Sequence, residues 1–322
     1  MRNITIILPV KNGADFIAQS IQSVLNQTYK DFNFLISDDA STDDTYAIIS
    51  SFNDARISLF KQSKSLGQFG SFNYLLRQCK TPLIHFWSHD DVMAPDCIEK
   101  IINFHRENTE IALSYCGSNS IDEKGNIIIP WSFDATPKIL DRTLYAKFSL
   151  AYGCLAGSIS QVTIDYSKIE QKIAFNDNFH VSGDFEFWTN VAENYKIGFI
   201  NGQMMSIRNH KNQVTKNIKN NYYAITEGLP IINRLAGWTN IKESDIKTIK
   251  RELIFVYYFN QILFLFIKGK FKMAFECLKL LSHQDNIIII AYSWLKMRFF
   301  YRGKYENKKM INKLLLTTNG AV

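Results

Sequence analysis

The chain has only five cysteines, Cys79, Cys97, Cys116, Cys154 and Cys277, and no two of them form a CxxC pair. Their odd number and scatter argue against a disulfide framework and a zinc site, and point to reduced thiols in a cytosolic protein. The six histidines never fall in HExxH spacing, which excludes the familiar zinc-hydrolase helix. No apolar run reaches the roughly 20 residues that a spanning helix needs. Ile254–Ile267 is interrupted by Asn260-Gln261, and Ile287–Trp294 is shorter. The start, Met1-Arg2-Asn3-Ile4-Thr5, leads straight into an apolar run, so no signal peptide is expected. Internal repeats and low-complexity linkers are also missing.

A compact basic block is missing from the early chain, although net charge is +7 and the sequence pI is about 9.0. Lysine and arginine thicken after residue 240, among aromatics. That placement argues against nucleic acid as a partner. It suits an anionic membrane surface or a plain solvated face.

What is present is alternation. Apolar runs at Ile4–Leu8, Phe32–Ile36, Ile57–Phe60, Leu83–Trp87 and Ile111–Tyr115 alternate with helical patterns. Ile17, Ile21, Val24 and Leu25 fall at helical spacing, and Gly67–Gln78 is a further helical stretch. Ser41-Thr42-Asp43-Asp44 offers a cap and first-turn acids for a helix through Ser51. Ala94-Pro95-Asp96 opens a helix through Glu107. Such a series predicts a parallel sheet covered on both faces. Asp122-Glu123-Lys124-Gly125-Asn126 reads as a hairpin turn. Residues 130–182 read as irregular, with a helical pattern near Leu144–Leu150. Gly183-Asp184-Phe185-Glu186-Phe187-Trp188 opens an amphipathic helix, and from about residue 222 the chain reads as helical.

Two aspartate pairs stand out against this frame. Asp38–Asp39 ends the second apolar run, and Asp90–Asp91 follows the fourth. Parallel strands deliver such residues to the carboxyl edge of an open sheet, where ligands bind. Two carboxylate pairs there suit a divalent metal and a nucleotide better than they suit packing.

The N-terminal part resembles the family 2 glycosyltransferases of the GT-A fold, over roughly residues 3–210. The likeness rests on Ile7-Leu8-Pro9-Val10-Lys11-Asn12-Gly13, on Ser20 through Phe32, on Ile36-Ser37-Asp38-Asp39-Ala40-Ser41-Thr42-Asp43, and on Asp90-Asp91 followed by Pro95-Asp96. It implies a GT-A-like α/β fold with a mostly parallel sheet and a helical C-terminal extension. Residues 1–220 would form the catalytic domain, with a nucleotide-sugar half at 1–115 and an acceptor half at 116–220, and residues 221–322 the extension. It further implies that Pro9, Val10, Asn12, Asp38 and Asp39 hold the nucleoside, with Lys64, Gly67, Asn73 and Asp90 alongside. A carboxylate at Asp38 or Asp39 could instead cap the following helix.

Asp90–Asp91 resembles the family's metal motif for Mn²⁺ or Mg²⁺, with Asp91 as the direct ligand. Ser88 stands where many relatives carry a further aspartate. His89 fits a packing or solvent-facing role better than a ligand role. Asp184 aligns with the family's general base, Glu186 being second choice, and an ordinary helix cap is its plain alternative. Arg208-Asn209-His210 with Asn212-Gln213-Val214-Thr215 resembles the segment that closes over the donor diphosphate, where His210 would sit on the metal or phosphate and Arg208 on the diphosphate.

The resemblance thus implies an inverting transferase that uses a UDP- or dTDP-sugar donor and a glycan or lipid-linked glycan acceptor in surface-polysaccharide synthesis. A nucleotidyltransferase is one rival, but Pro9–Asp15 has a single glycine where a phosphate loop needs several. A non-catalytic nucleotide-sugar or glycan-binding protein of the same fold is the other. The aromatic and basic tail, Phe255–Phe266 with Trp294–Arg302, admits an anionic membrane surface on the inner face of the cell membrane, or a helical hairpin that packs its apolar face on the catalytic domain or on a second copy in a homo-oligomer.

Overall fold

The computed structural model describes residues 3–132, 136–170, 173–211, 213, 217–299, 311 and 314–315. The first half alternates strands and helices: β1 (Ile4–Val10), α1 (Ile17–Leu25), β2 (Phe32–Asp38), α2 (Thr45–Ser50), β3 (Ile57–Lys61), α3 (Gly67–Gln78) and β4 (Leu83–Phe86). Then come β5 (Val92–Met93), α4 (Cys97–Glu107), β6 (Ile111–Ile121), β7 (Ile127–Ile129), β8 (Ile139–Leu140), α5 (Arg142–Tyr152), β9 (Val162–Asp165), α6 (Gly183–Asn194) and β10 (Lys196–Arg208). The rest is helical: α7 (Lys219–Gly237), α8 (Glu243–Lys250), a π-helical turn at Arg251–Phe255, α9 (Val256–Ile267), α10 (Phe271–Ser282) and α11 (Ile287–Phe299). Phe300, Tyr301 and Arg302, counted in the aromatic and basic tail, lie outside the described residues, as do Asn212, Val214 and Thr215.

One sheet runs in the order β3-β2-β1-β4-β9-β6-β10-β5, with β7 paired to β6 and β8 to β10. The pairs β1–β2, β2–β3, β1–β4 and β6–β10 are parallel. The chain passes from β1 to β2 and β3 on one side, then returns to β4 on the other. That reversal makes a switch point between β1 and β4, the kind of place at which open α/β sheets hold ligands. β1 and β4 are almost wholly buried, as strands covered on both faces must be. Ile17, Ile21, Val24 and Leu25 are the apolar residues that α1 buries.

Three parts differ from the sequence expectation. The fifth strand does not close at Tyr115 but continues to Ile121, because β10 pairs with it as far as Arg208. Residues 130–182 are not simply irregular. They hold α5 and also β9, which lies antiparallel between β4 and β6. Four residues are too few for a clear pattern, yet all four are buried. The second helix starts at Thr45, where Asp43 accepts from the Thr45 N–H.

The chain forms two compact units. One comprises residues 1–141, 156–178 and 183–212, and the other 142–155, 179–182 and 213–322. In the first unit Phe175 stacks on Phe69 and Phe187 and meets Phe72, Phe86 and Trp188. In the second, Ile225, Leu229, Phe255, Tyr258, Ile262, Leu265, Cys277 and Leu281 form a separate apolar core.

Candidate active site

The strand ends of the first unit gather most of the expected residues. Val10 lies opposite Asp38 in the register of β1 and β2, with Pro9 one step back. The Val10 carbonyl accepts from the Asp39 N–H at 2.7 Å. Asn12 braces two loops rather than reaching outward. Its N–H donates to Ser41 Oγ, and its side-chain oxygen accepts from the Thr42 N–H at 2.9 Å. The next two N–H groups, of Gly13 and Ala14, donate to Thr45 Oγ1 and Asp43 Oδ2.

The two residues of the first pair have different surroundings. Asp38 is fully buried; its Oδ2 accepts from the Ser41 N–H at 3.3 Å, and its Oδ1 is buried without a hydrogen-bond partner. Asp39 accepts from Ser65 Oγ at 2.6 Å, the Leu66 N–H at 2.6 Å and the Gly67 N–H at 3.1 Å. It therefore caps a helix, as the plain alternative held, but that helix is α3 and not the next one along the chain. Gly67 takes φ +74° at this point, a conformation that side chains resist. Lys64 is exposed on the same loop. Asn73 has partners on another segment. It is buried, and its carboxamide donates to the Phe175 carbonyl and Asp177 Oδ1 and accepts from the Phe175 N–H.

The second pair is also asymmetric. Asp91 turns inward: Oδ2 accepts from Ser160 Oγ at 2.5 Å and Oδ1 from the Arg208 N–H at 2.9 Å. Burial pushes its carboxyl up to about 7, and the charge of Asp90 adds to the rise. Asp90 accepts from Ser88 Oγ at 2.5 Å and from His210 Nε2 at 3.0 Å. Burial works against its ionisation, but His89 nearby and the bonds from Ser88 and His210 outweigh it and hold the carboxyl below its ordinary range. Asp91, expected as the direct metal ligand, is the more enclosed of the two, and Asp90 is slightly more open. His89 packs against Gly13, where an added Cβ would come within 2.4 Å of its ring, and burial keeps its imidazole neutral-leaning.

Arg208 is held within the frame of these loops. It is almost fully buried, and its guanidinium donates to the carbonyls of Asp90, Asp122 and Glu123 and to Gln19 Oε1. It binds the hairpin turn, α1 and the Asp90 main chain together, with its guanidinium over the Phe16 ring at 4.8 Å. These bonds engage the guanidinium expected at the diphosphate. His210 stays beside Asp90, its ring 5.0 Å from that of Phe16. Gln19, Phe16 and Ser160 have no local sequence signal; Ser160 is 69 positions from Asp91 and meets it only because β9 enters the sheet beside β4.

The remaining expected acids lie at the start of α6. Asp184 and Glu186 lie in its first turn, where the helix dipole favours negative charge. Asp184 Oδ1 accepts from the Phe185 N–H at 2.7 Å. Glu186 Oε1 accepts from Asn190 Nδ2, and its Oε2 is buried without a hydrogen-bond partner.

A metal can be tested against these residues. Among the described residues no three His, Cys, Asp or Glu side chains gather as a metal cluster. Asp90 and His210 offer one carboxylate and one imidazole. Hard Mg²⁺ takes one or two carboxylates and fills its shell with phosphate oxygens and water. The pair therefore fits as a partial site that a diphosphate would complete.

Acidic residues gathered at the switch-point edge of an open α/β sheet fit the GT-A architecture. The model of the glycosyl transferase family 2 matches residues 5–165, half of the chain, and the chain belongs to that family. An uncharacterized glycosyltransferase of Rickettsia prowazekii (strain Madrid E) is 29% identical over 222 residues, covering 67% of each protein. The Escherichia coli UDP-Glc:alpha-D-GlcNAc-diphosphoundecaprenol beta-1,3-glucosyltransferase WfaP is 35% identical over 139 residues, 43% of this chain and 54% of its own. S. aureus TarS 1-349 in complex with UDP superposes with a TM-score of 0.65 at 13% identity, covering 98% of this chain and 91% of that one. At that identity the likeness is one of fold.

Proposed function

We propose that this glycosyltransferase is an inverting enzyme that moves a sugar from a UDP- or dTDP-linked donor to a hydroxyl of a glycan or lipid-linked glycan. Surface-polysaccharide synthesis is the proposed setting, with residues 1–220 as the catalytic part. The observation that carries the reading is the buried Asp38 carboxylate, whose Oδ1 has no hydrogen-bond partner, at the same strand edge as Asp90 and His210. Burying such an oxygen without a hydrogen bond is costly, and a donor nucleoside supplies hydroxyl and N–H groups for it. A carboxylate has about four acceptor positions, so Asp39 also keeps room for a base N–H. The family membership and the nucleotide held by the TarS neighbour support a nucleoside diphosphate donor.

Asp184 takes the proton of the acceptor hydroxyl as that oxygen attacks the anomeric carbon. The new C–O bond forms on the face opposite the leaving nucleoside diphosphate, so the configuration inverts. Glu186 is the second candidate for the base. Asp90 and His210 would hold Mn²⁺ or Mg²⁺, which when bound neutralises charge growing on the leaving diphosphate. Arg208 and Ser160 keep Asp90 and Asp91 in place. A nucleotidyltransferase fits less well, because the N–H groups of Asn12, Gly13 and Ala14 are taken by side chains and cannot cradle phosphates.

A donor screen tests the reading. UDP-, dTDP- and other nucleoside diphosphate sugars are offered with Mn²⁺, and hydrolysis or transfer is read by nucleotide release. A UDP- or dTDP-sugar should be turned over. Binding of a sugar nucleotide with no turnover under any acceptor would favour the non-catalytic reading instead.

A further inference from the structure

Helix α11 is apolar around most of its circumference, and among the described residues one side of it is left exposed. Ile288, Tyr292, Leu295 and Phe299 follow one another at steps of four, three and four residues, which puts them on one face. They are 76%, 65%, 45% and 69% exposed, while Ile290 and Ser293 of the same helix are buried. A helix apolar all round belongs in an apolar setting. α10 shows the same division. Phe271 and Phe275 are exposed, whereas Ala274, Cys277 and Leu281 join the core. At the end of α9, Phe264 and Ile267 are also exposed.

Charge says what the bare faces meet. Lys268, Lys270, Lys272 and Lys279 stand exposed among these side chains, and Lys268 lies over the Phe264 ring at 5.5 Å. Residues 221–322 carry 16 lysines and arginines against 7 aspartates and glutamates, whereas residues 1–220 carry 21 against 23. The positive charge of the chain therefore resides in the region that bears the exposed apolar faces. Among the described residues no helix is long and apolar enough to cross a membrane.

We propose that the exposed faces of α9, α10 and α11 dock on an anionic lipid bilayer, with aromatic and aliphatic side chains in the headgroup boundary and lysines against the lipid phosphates. A second copy of the chain is the weaker occupant. A symmetric pairing would set each lysine-ringed patch against its own like, and like charges facing one another repel. An anionic surface turns the same lysines into attraction. The proposal goes beyond the transfer reaction and does not depend on it.

The full chain is sedimented with vesicles of mixed phosphatidylglycerol and phosphatidylcholine, and with phosphatidylcholine alone. It should bind the anionic vesicles and not the neutral ones. Salt at 1 M, where the screening length falls to about 3 Å, should release most of it. The variant Phe271→Ser/Phe275→Ser and the variant Lys268→Gln/Lys270→Gln/Lys272→Gln alter only exposed positions. Each should lower the bound fraction roughly tenfold, since each removes part of the apolar or the ionic attraction, with an unchanged circular dichroism spectrum. Equal binding to neutral vesicles, or full binding by both variants, overturns the proposal. So does a dimer by light scattering that Phe271→Ser/Phe275→Ser dissociates while vesicles leave the protein in solution. Lipid binding is read without any sugar donor, so its failure leaves the transferase reading untouched.

Discussion

The ring of Phe69 occupies the space that a Cβ on Gly183 would need. An added methyl would come within 2.6 Å of the ring edge. A shift of the ring would disturb its stack on Phe175, 5.3 Å away between centroids. Phe69 lies in the first turn of α3, whose start is capped by Asp39. Gly183 opens the helix that carries Asp184. The proposed nucleoside contact and the proposed base are thus joined through one ring and one missing side chain.

Gly183→Ala should therefore destabilise the first unit by roughly 1–3 kcal/mol, the usual cost of overpacking. It should lower turnover more than donor affinity, because the start of α6 shifts while the nucleoside side stays. Pairing it with Phe69→Leu should recover part of both losses. Urea unfolding and steady-state kinetics on the single and double variants measure this. Additive losses in the double variant would show that the two residues act separately.

The asymmetry of the second aspartate pair gives a second expectation. Titration calorimetry of UDP with Mn²⁺ should show affinity that falls sharply on adding EDTA, and Asp90→Asn should abolish that metal dependence. Asp91→Asn should act mainly on stability, because the Asp91 carboxylate joins Ser160 to the Arg208 main chain. If Asp91→Asn removes the metal response while Asp90→Asn keeps it, the ligand roles are reversed.

Much of the first unit was legible because its signals are local. Strand runs ending in Asp38–Asp39 and Asp90–Asp91, and the helical spacing of Ile17, Ile21, Val24 and Leu25, depend on neighbours in the chain. What sequence could not show depends on partners far away. Nothing beside Asn73 in the chain announces Phe175 and Asp177, which bond it. Nor does anything beside Arg208 announce the hairpin carbonyls of Asp122 and Glu123 and the Gln19 side chain, which take its donors. β9 is hidden because a four-residue strand between two others shows no alternation. The closer enclosure of Asp91 follows from Ser160, which no spacing rule connects to it.

A third expectation concerns pH and the helical unit. Asp285 is buried, and accepts from Arg251 Nε at 2.6 Å and from the Asn286 N–H at 2.7 Å, with Lys247 Nζ at 3.5 Å. Lys250 contributes a further positive charge nearby. Burial alone would raise the carboxyl, but these partners outweigh it and hold it below its ordinary range. A depressed carboxyl stabilises the fold above the unfolded value of about 3.9 and ceases to do so as pH falls through the folded value. Asp285→Asn should therefore cost roughly 1–3 kcal/mol at neutral pH, as expected for hydrogen bonds to a charged group. The difference from the parent should shrink below about pH 4. Thermal unfolding followed across pH tests this, and a difference that grows in acid would remove Asp285 from the account.

The fourth expectation places the proton transfer. Asn at position 184 keeps the shape of Asp184 and can still accept the Phe185 N–H at the start of α6, so the helix should hold. It is a very poor proton acceptor, so the acceptor hydroxyl would keep its proton into the transition state. Asp184→Asn should cut turnover by about 10²–10⁴-fold, the range for loss of a positioned base. Donor affinity should stay close to the parent value, because Asp38, Asp39 and Asp90 lie on other elements. The anomeric configuration of the product, read by NMR, should be opposite to that of the donor, since a single displacement leaves no covalent intermediate. A retained configuration would exclude that displacement even if Asp184 proves essential. Near-parent turnover in Asp184→Asn, with a large loss in Glu186→Gln, would move the base to Glu186, whose buried Oε2 has no hydrogen-bond partner and could take the proton in its place.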